Sequence, residues 1–92
     1  MQVLWFQDSK VGHINQVKSL LDSMILDIEF EVHVVRLDQK ISVSLLTSFN
    51  QDQLILLIGA GSKTYSKILA LKKTLSRNFK TFAIAILKPS YN

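Results

Sequence analysis

The residues able to do chemistry gather in two short stretches. The first reads Asp8-Ser9-Lys10-Val11-Gly12-His13-Ile14-Asn15-Gln16. Asp8, Lys10, His13, Asn15 and Gln16 put five polar side chains within nine residues, and Gly12 allows a ligand close to the backbone. The second reads Gly59-Ala60-Gly61-Ser62-Lys63-Thr64, two glycines followed by a hydroxyl and an ammonium. Glycine turns that open helices can cradle a phosphate through backbone N–H groups, with Lys10 or Lys63 adding charge. The second stretch lacks the third glycine of G-x-G-x-x-G, and Lys63-Thr64 is wrongly spaced from Gly59 for a Walker A loop. Gly59 and Gly61 equally suit a tight turn with no ligand, and His13 equally suits a helix start where it packs locally. A general base at His13 needs a partner that sequence does not name. No His-x-x-x-His pair, nucleophile elbow or close acidic pair is present. No metal site or cofactor is expected, and no complete active site is legible.

The elements that must position these stretches follow from hydrophobic spacing. Gln2 to Phe6 is a short apolar run with β-favouring residues, which reads as a strand. A helix from about His13 to Ile25 follows, because Ile14, Val17, Leu20, Leu21, Met24 and Ile25 recur at helical spacing. The run from Phe30 to Leu37 begins with alternation, Phe30, Val32 and Val34 against Glu31 and His33, which suits an edge strand with one wetter face. His33 reads as an exposed strand residue. Ile41, Leu45, Leu46 and Phe49 mark a short helix weakened by Val43 and the serines. Gln53 to Ile58 is apolar on both faces and reads as a central strand that runs into the second glycine stretch. A helix from about Thr64 to Ser76, with Ile68, Leu71 and Leu75 inward, leads to a last strand over Thr81 to Leu87, ended by Pro89.

This β-α-β-α-β-α-β pattern predicts an α/β fold, a Rossmann-like or flavodoxin-like parallel sheet of four strands with flanking helices. The two-faced apolar strands belong in the middle, so the expected order is 2-1-3-4. Both glycine stretches then flank one crevice at the topological switch between the first and third strands. The fourth strand would form an unprotected edge, apolar on both faces with no charge between Lys80 and Lys88. It is expected to be incomplete without a fifth strand and to self-associate.

With 92 residues, 48% of them hydrophobic and 20% charged, the chain has a globular composition and room for one domain, spanning 1–92. The absence of cysteine excludes disulfides, thiol nucleophiles and thiolate metal sites. Neither a signal peptide nor a membrane span is expected. Residues 1–52 hold all seven acidic residues, for a net −3, while residues 53–92 carry +7. That basic half could attract phosphate, a membrane surface or nucleic acid. However, Lys72, Lys73 and Arg77 fall where they complement a helix dipole, and no nucleic-acid-binding signature is present, so no nucleic acid partner is expected.

Three blocks in order, Asp8 to Gln16, Ile58-Gly59-Ala60-Gly61 and Leu87-Lys88-Pro89-Ser90, resemble the start of the Elm-type mitochondrial-fission protein family of bacteria and plants. Members show D-G-K-x-G-H-x-N-Q, I-G-A-G and K-P-S, and the family is distantly similar to GT-B glycosyltransferases. The resemblance spans nearly the whole chain but only the N-terminal part of such proteins, which carry a second Rossmann-like domain. It implies that Gly12, His13, Asn15, Gly59, Gly61 and Ser62 face an interdomain cleft. Ser9 stands where members have glycine, and Ser62 and Tyr65 depart from the histidines of the second block. In the full-length protein the implied partner is a nucleotide-sugar or a phosphorylated acceptor, and the present chain alone would not turn over. The other function implied is a non-enzymatic interaction domain, in keeping with the fission label. A cytoplasmic, bacterial and membrane-peripheral location is the accompanying expectation.

Overall fold

A computed structural model describes residues 1–86. The elements are β1 (Gln2–Gln7), α1 (Val11–Met24), β2 (Glu31–Arg36), α2 (Val43–Thr47), β3 (Leu54–Ala60), α3 (Ser62–Leu75) and β4 (Lys80–Ile86). All strand pairs are parallel and the sheet order is β2-β1-β3-β4, as the burial argument requires. The fold is α/β and Rossmann-like in arrangement. Leu87, expected as the last residue of the fourth strand, and Lys88-Pro89-Ser90, expected to end it, lie outside the described residues.

The sheet separates two apolar layers. On one side Leu4, Phe6, Val35, Ile55 and Leu57 pack with Phe49, Ile68 and Leu75, which brings α3 and the segment around α2 onto that face. On the other, Val3, Leu56, Ile58 and Ala60 pack with Val17 and Leu21 of α1. Ile68 is fully buried, so Ile68→Ala removes several methylenes with little room for collapse and is expected to cost about 2–5 kcal/mol. Leu71 is half-buried against the same layer. In α1, Val17 and Leu21 carry the burial while Ile25 turns out to solvent, because the helix ends at Met24 and Ile25 begins the turn.

Several boundaries move relative to the sequence expectation, each for a local reason. α1 starts at Val11, two residues early, so Gly12 and His13 belong to its first turn. β3 continues through Gly59 and Ala60, because Gly59 pairs with both Phe6 and Ala85. α3 begins at Ser62 directly after Gly61.

β2 departs in its faces. Its register sets Val32 beside Val3 and Val34 beside Trp5, on the α1 side, while His33 and Val35 lie beside Leu4 and Phe6. α1 packs toward β3 and does not cover β2, so Val34 remains 50% exposed. Val32 and Val34 therefore lie on the wetter face, while Phe30, just ahead of the strand, packs half-buried against the α1-side layer. His33 is accordingly not a merely exposed residue. Its Nε2–H donates to Gln2 Oε1 at 2.7 Å, Gln2 Nε2 donates to Gln53 Oε1 at 3.2 Å, and the imidazole lies 5.5 Å from the Phe49 ring. This chain of bonds joins β2, β1 and the start of β3 at the end of the sheet away from the glycine turns.

β4 is an edge, as expected, and its α1-side residues are poorly covered. Phe82 is 61% exposed and Ile84 36%. α1 packs over the central strands, and of β4 only Ile86, at its end, joins that layer, half-buried.

Candidate functional site

The site begins with a turn that folds on itself. Asp8 follows β1, and its Oδ1 accepts the Lys10 N–H at 3.0 Å, which fixes the chain as it enters α1. His13 sits in the first turn of α1, and its Nδ1 lies 2.6 Å from Asp8 Oδ2. A carboxylate can only accept, so the proton of this bond resides on Nδ1. Nε2 is left with no protein partner among the described residues. The Asp8 side chain is only 9% exposed and His13 23%. Burial raises the Asp8 carboxyl, but the His13 hydrogen bond, the Lys10 N–H and the neighbouring charges outweigh it. The net direction is below the ordinary 3.8.

Gly61 closes the back of this pair. Its φ is +97 and its ψ 151, a backbone region that side chains other than hydrogen rarely tolerate. A Cβ there would stand 2.7 Å from both Cε1 and Nδ1 of His13 and 2.9 Å from Asp8 Oδ2. Gly59 is needed for a different contact, since a Cβ would stand 2.9 Å from Thr64 Cβ and Oγ1 and 3.0 Å from the Phe6 carbonyl oxygen. Thr64 is fully buried and donates its hydroxyl to the Gly61 carbonyl at 2.7 Å. The glycine spacing of the second stretch thus lets β3 and α3 close against β1 and the Asp8–His13 pair. At Gly12, by contrast, a Cβ would meet nothing within 4 Å.

In front of the pair lies a crevice of about 540 Å³ at the carboxyl ends of β1 and β2, where α1 and α3 begin. Gln7, Asp8, Ser9, Lys10, His13, Ile14, Arg36, Leu37, Asp38, Ser62 and Lys63 line it. β1 neighbours both β2 and β3, so the first and second turns share one sheet edge as expected. Of the residues singled out from sequence, Asp8, Lys10, His13, Ser62 and Lys63 meet at the crevice. Gly59 and Gly61 are buried behind it, and Asn15, Gln16 and Gly12 are exposed on α1 without lining it. Asn15 follows His13 by two residues, which turns it to another face of the helix, and Gln16 stands one turn further along α1, beyond the crevice.

Arg36, Leu37 and Asp38 were missed. The sequence did hold a signal: in the order 2-1-3-4 the strand beside β1 must end next to the first turn. Arg36 and Asp38 are the charged residues at that end. They bring the crevice to three cations, Lys10, Arg36 and Lys63, against Asp38 and the His13-bonded Asp8.

Both helices that open at the crevice lack a side-chain cap and an acidic residue in their first turns. Their leading N–H groups and positive dipole ends therefore face outward without a side-chain partner. In the second turn this applies beyond Gly61, whose own N–H donates to Ile86 O at 3.0 Å. Among the described residues there is no cluster of acidic, histidine or cysteine side chains able to hold a metal. Likewise no described helix is long and apolar enough to cross a membrane.

No family model, curated protein or solved structure matches this chain.

Proposed function

We propose that the crevice binds the phosphate or diphosphate of a nucleotide-sugar or phosphorylated acceptor, as part of an Elm-type, GT-B-like protein. The observation that carries the reading is the convergence of two uncapped helix starts, α1 and α3, on one cavity that also holds Lys10, Arg36 and Lys63. A phosphate satisfies all three features at once, since it accepts several N–H bonds and neutralises the surrounding cations. The Asp8–His13 pair adds an imidazole whose Nε2 can accept a hydrogen bond or a proton from a ligand hydroxyl. The proposal for this chain is binding without turnover.

Titration with inorganic phosphate, followed by amide chemical shifts, tests the reading. Each helix terminus contributes about 0.3–1 kcal/mol at an exposed site, so even with Lys10, Arg36 and Lys63 beside them a lone phosphate is expected to bind no tighter than the millimolar range. Shifts should concentrate at Val11–His13 and Ser62–Lys63, and Arg36→Ala should weaken the titration severalfold. Shifts confined to the Lys72–Arg77 end of α3 would overturn it. The second reading, a non-enzymatic interaction domain, is favoured by one observation, the exposed Phe82 and Ile84 on β4. Saturable binding of a nucleoside diphosphate sugar separates the two, because only the first reading requires it.

A further inference from the structure

The free edge of β4 is complementary to itself. Ile86 O accepts the Gly61 N–H from the β3 side, and backbone groups alternate direction residue by residue along a strand. The N–H and C=O groups of Ile86, Ile84, Phe82 and Lys80 therefore face β3, whereas those of Thr81, Ala83 and Ala85 face outward. β4 has no neighbour on that side among the described residues. Side chains alternate independently. Phe82 and Ile84 lie beside Leu56 and Ile58 on the α1 face, and Thr81 and Ala83 lie beside Ile55 and Leu57 on the α3 face.

We propose that two copies of this chain pair through β4, antiparallel and with Ala83 on the two-fold axis, to form one continuous sheet. In that register Ala83 faces Ala83 of the second copy and Thr81 faces Ala85. Every outward N–H and C=O from Thr81 to Ala85 then has a partner. Phe82 falls opposite Ile84 in the closely spaced, non-hydrogen-bonded positions, where cross-strand side chains approach nearest. The residues that α1 leaves uncovered thereby cover one another. Ala83 is small and exposed on the other face, so α3 does not obstruct the seam.

Charge does not forbid the pairing, although this half of the chain is basic. Lys80 of one copy lies opposite Ile86 of the other, which separates the two Lys80 residues by about 20 Å along the strand. That exceeds the screening length of about 8 Å at physiological salt. The β2 edge is a poorer candidate because Glu31 and Arg36 lie within it, the usual protection of an edge, whereas β4 carries a charge only at Lys80. The strand and two apolar side chains make an interface at the small end of the range, so the dimer is expected to be weak and strengthened by salt.

The register makes the test specific, because the chain has no native cysteine. Under mild oxidation at about 100 μM protein, Ala83→Cys should cross-link to itself, since facing residues in such a pair have Cα atoms about 5.5 Å apart, within disulfide reach. Thr81→Cys alone should not cross-link, but a mixture of Thr81→Cys and Ala85→Cys should. Sedimentation of the unmodified chain should show a monomer–dimer equilibrium that shifts toward dimer as salt rises. Ala83→Pro removes an outward N–H and no bond to β3, and should abolish the dimer while far-UV circular dichroism stays unchanged. Ile84→Lys should lower the dimer fraction independently. A monomer at about 100 μM in both low and high salt overturns the proposal. So does a dimer that survives Ala83→Pro or cross-links through Val34→Cys on β2.

Discussion

The interlock of Gly61 with the Asp8–His13 pair can be measured by Gly61→Ala. Two costs are distinct. The backbone at φ +97 and ψ 151 is strained for alanine wherever its methyl points, at about 1–3 kcal/mol. The new Cβ also falls 2.7 Å from the His13 ring and 2.9 Å from Asp8 Oδ2, so the imidazole must move and its bond to the carboxylate lengthens or breaks. A hydrogen bond to a charged group contributes about 1.5–3 kcal/mol when well buried, and about 1 is the fitting figure for a pair whose histidine is partly exposed. The total expected for Gly61→Ala is about 2–4 kcal/mol, out of a stability of roughly 5–10 kcal/mol for a domain of this size. Urea unfolding followed through Trp5 fluorescence provides the reading, with an unchanged m-value required for a stability interpretation.

His13→Ala supplies the control. With the ring gone, the collision with His13 disappears and the Asp8 carboxylate, no longer held by its bond to the imidazole, can retreat, while the φ strain remains, so Gly61→Ala should cost about 1 kcal/mol less in that background than in the native one. Additivity of the two substitutions to within about 0.3 kcal/mol would refute the contact between Gly61 and His13. The backbone strain would then be the whole reason for the glycine.

The other two glycines should respond in opposite directions. Gly59→Ala collides with Thr64 and with the Phe6 carbonyl, neither of which can retreat from the core, and should destabilise by about 1–3 kcal/mol on urea unfolding. Gly12→Ala meets open space inside a helix and should stabilise by about 0.5 kcal/mol, and it should weaken phosphate binding if a ligand approaches that backbone. The Asp8 carboxyl titrates below 3.8 in the folded chain, so the unfolded state binds more protons on the acid side. Its stabilisation is therefore complete above the unfolded value and is lost as pH falls through the lower, folded one. Asp8→Asn should flatten the acid limb of the stability curve below about pH 4, and an unchanged limb in that variant would show that Asp8 gains nothing from its partners.

Strand order and the shared sheet edge were legible because they depend on whole runs of residues. β1 and β3 are apolar on both faces and β2 alternates, so the first two belong inside the sheet and β2 at an edge, as in the order β2-β1-β3-β4. The faces of β2 were not legible for a definite reason. Alternation reports that two faces differ, but which face is covered depends on where α1 lies. α1 leans toward β3 and leaves Val32 and Val34 open, while on the opposite face of the sheet His33 meets Phe49. The Asp8–His13 bond escaped detection for a similar reason. The apolar pattern of α1 begins at Ile14, which suggested a start near His13. The helix in fact begins at Val11, without any cap residue to announce it, and this places the imidazole beside Asp8, the residue that follows β1. A proton-holding pair thus depended on a two-residue helix boundary, the quantity that sequence patterns define least well.

The same geometry changes what the second glycine turn can do for an anion. A phosphate cradle needs backbone N–H groups that are free, and Gly61 offers none, because its N–H is bound to Ile86 O and its carbonyl receives Thr64 from both backbone and side chain. Its positive φ instead brings α3 close to the Asp8–His13 pair. The donors that remain at the crevice from this side are therefore those of Ser62 and Lys63, one residue further along than the glycines suggested. It follows that Ser62→Pro, which removes a leading N–H at a helix position where proline is tolerated, should leave stability within about 0.5 kcal/mol yet reduce phosphate binding. Lys63→Ala should reduce it by a comparable factor through charge alone and lower its salt dependence. Equal phosphate affinity in Ser62→Pro and the unmodified chain would place the anion entirely on the α1 side, with Lys10 and Arg36 as its holders.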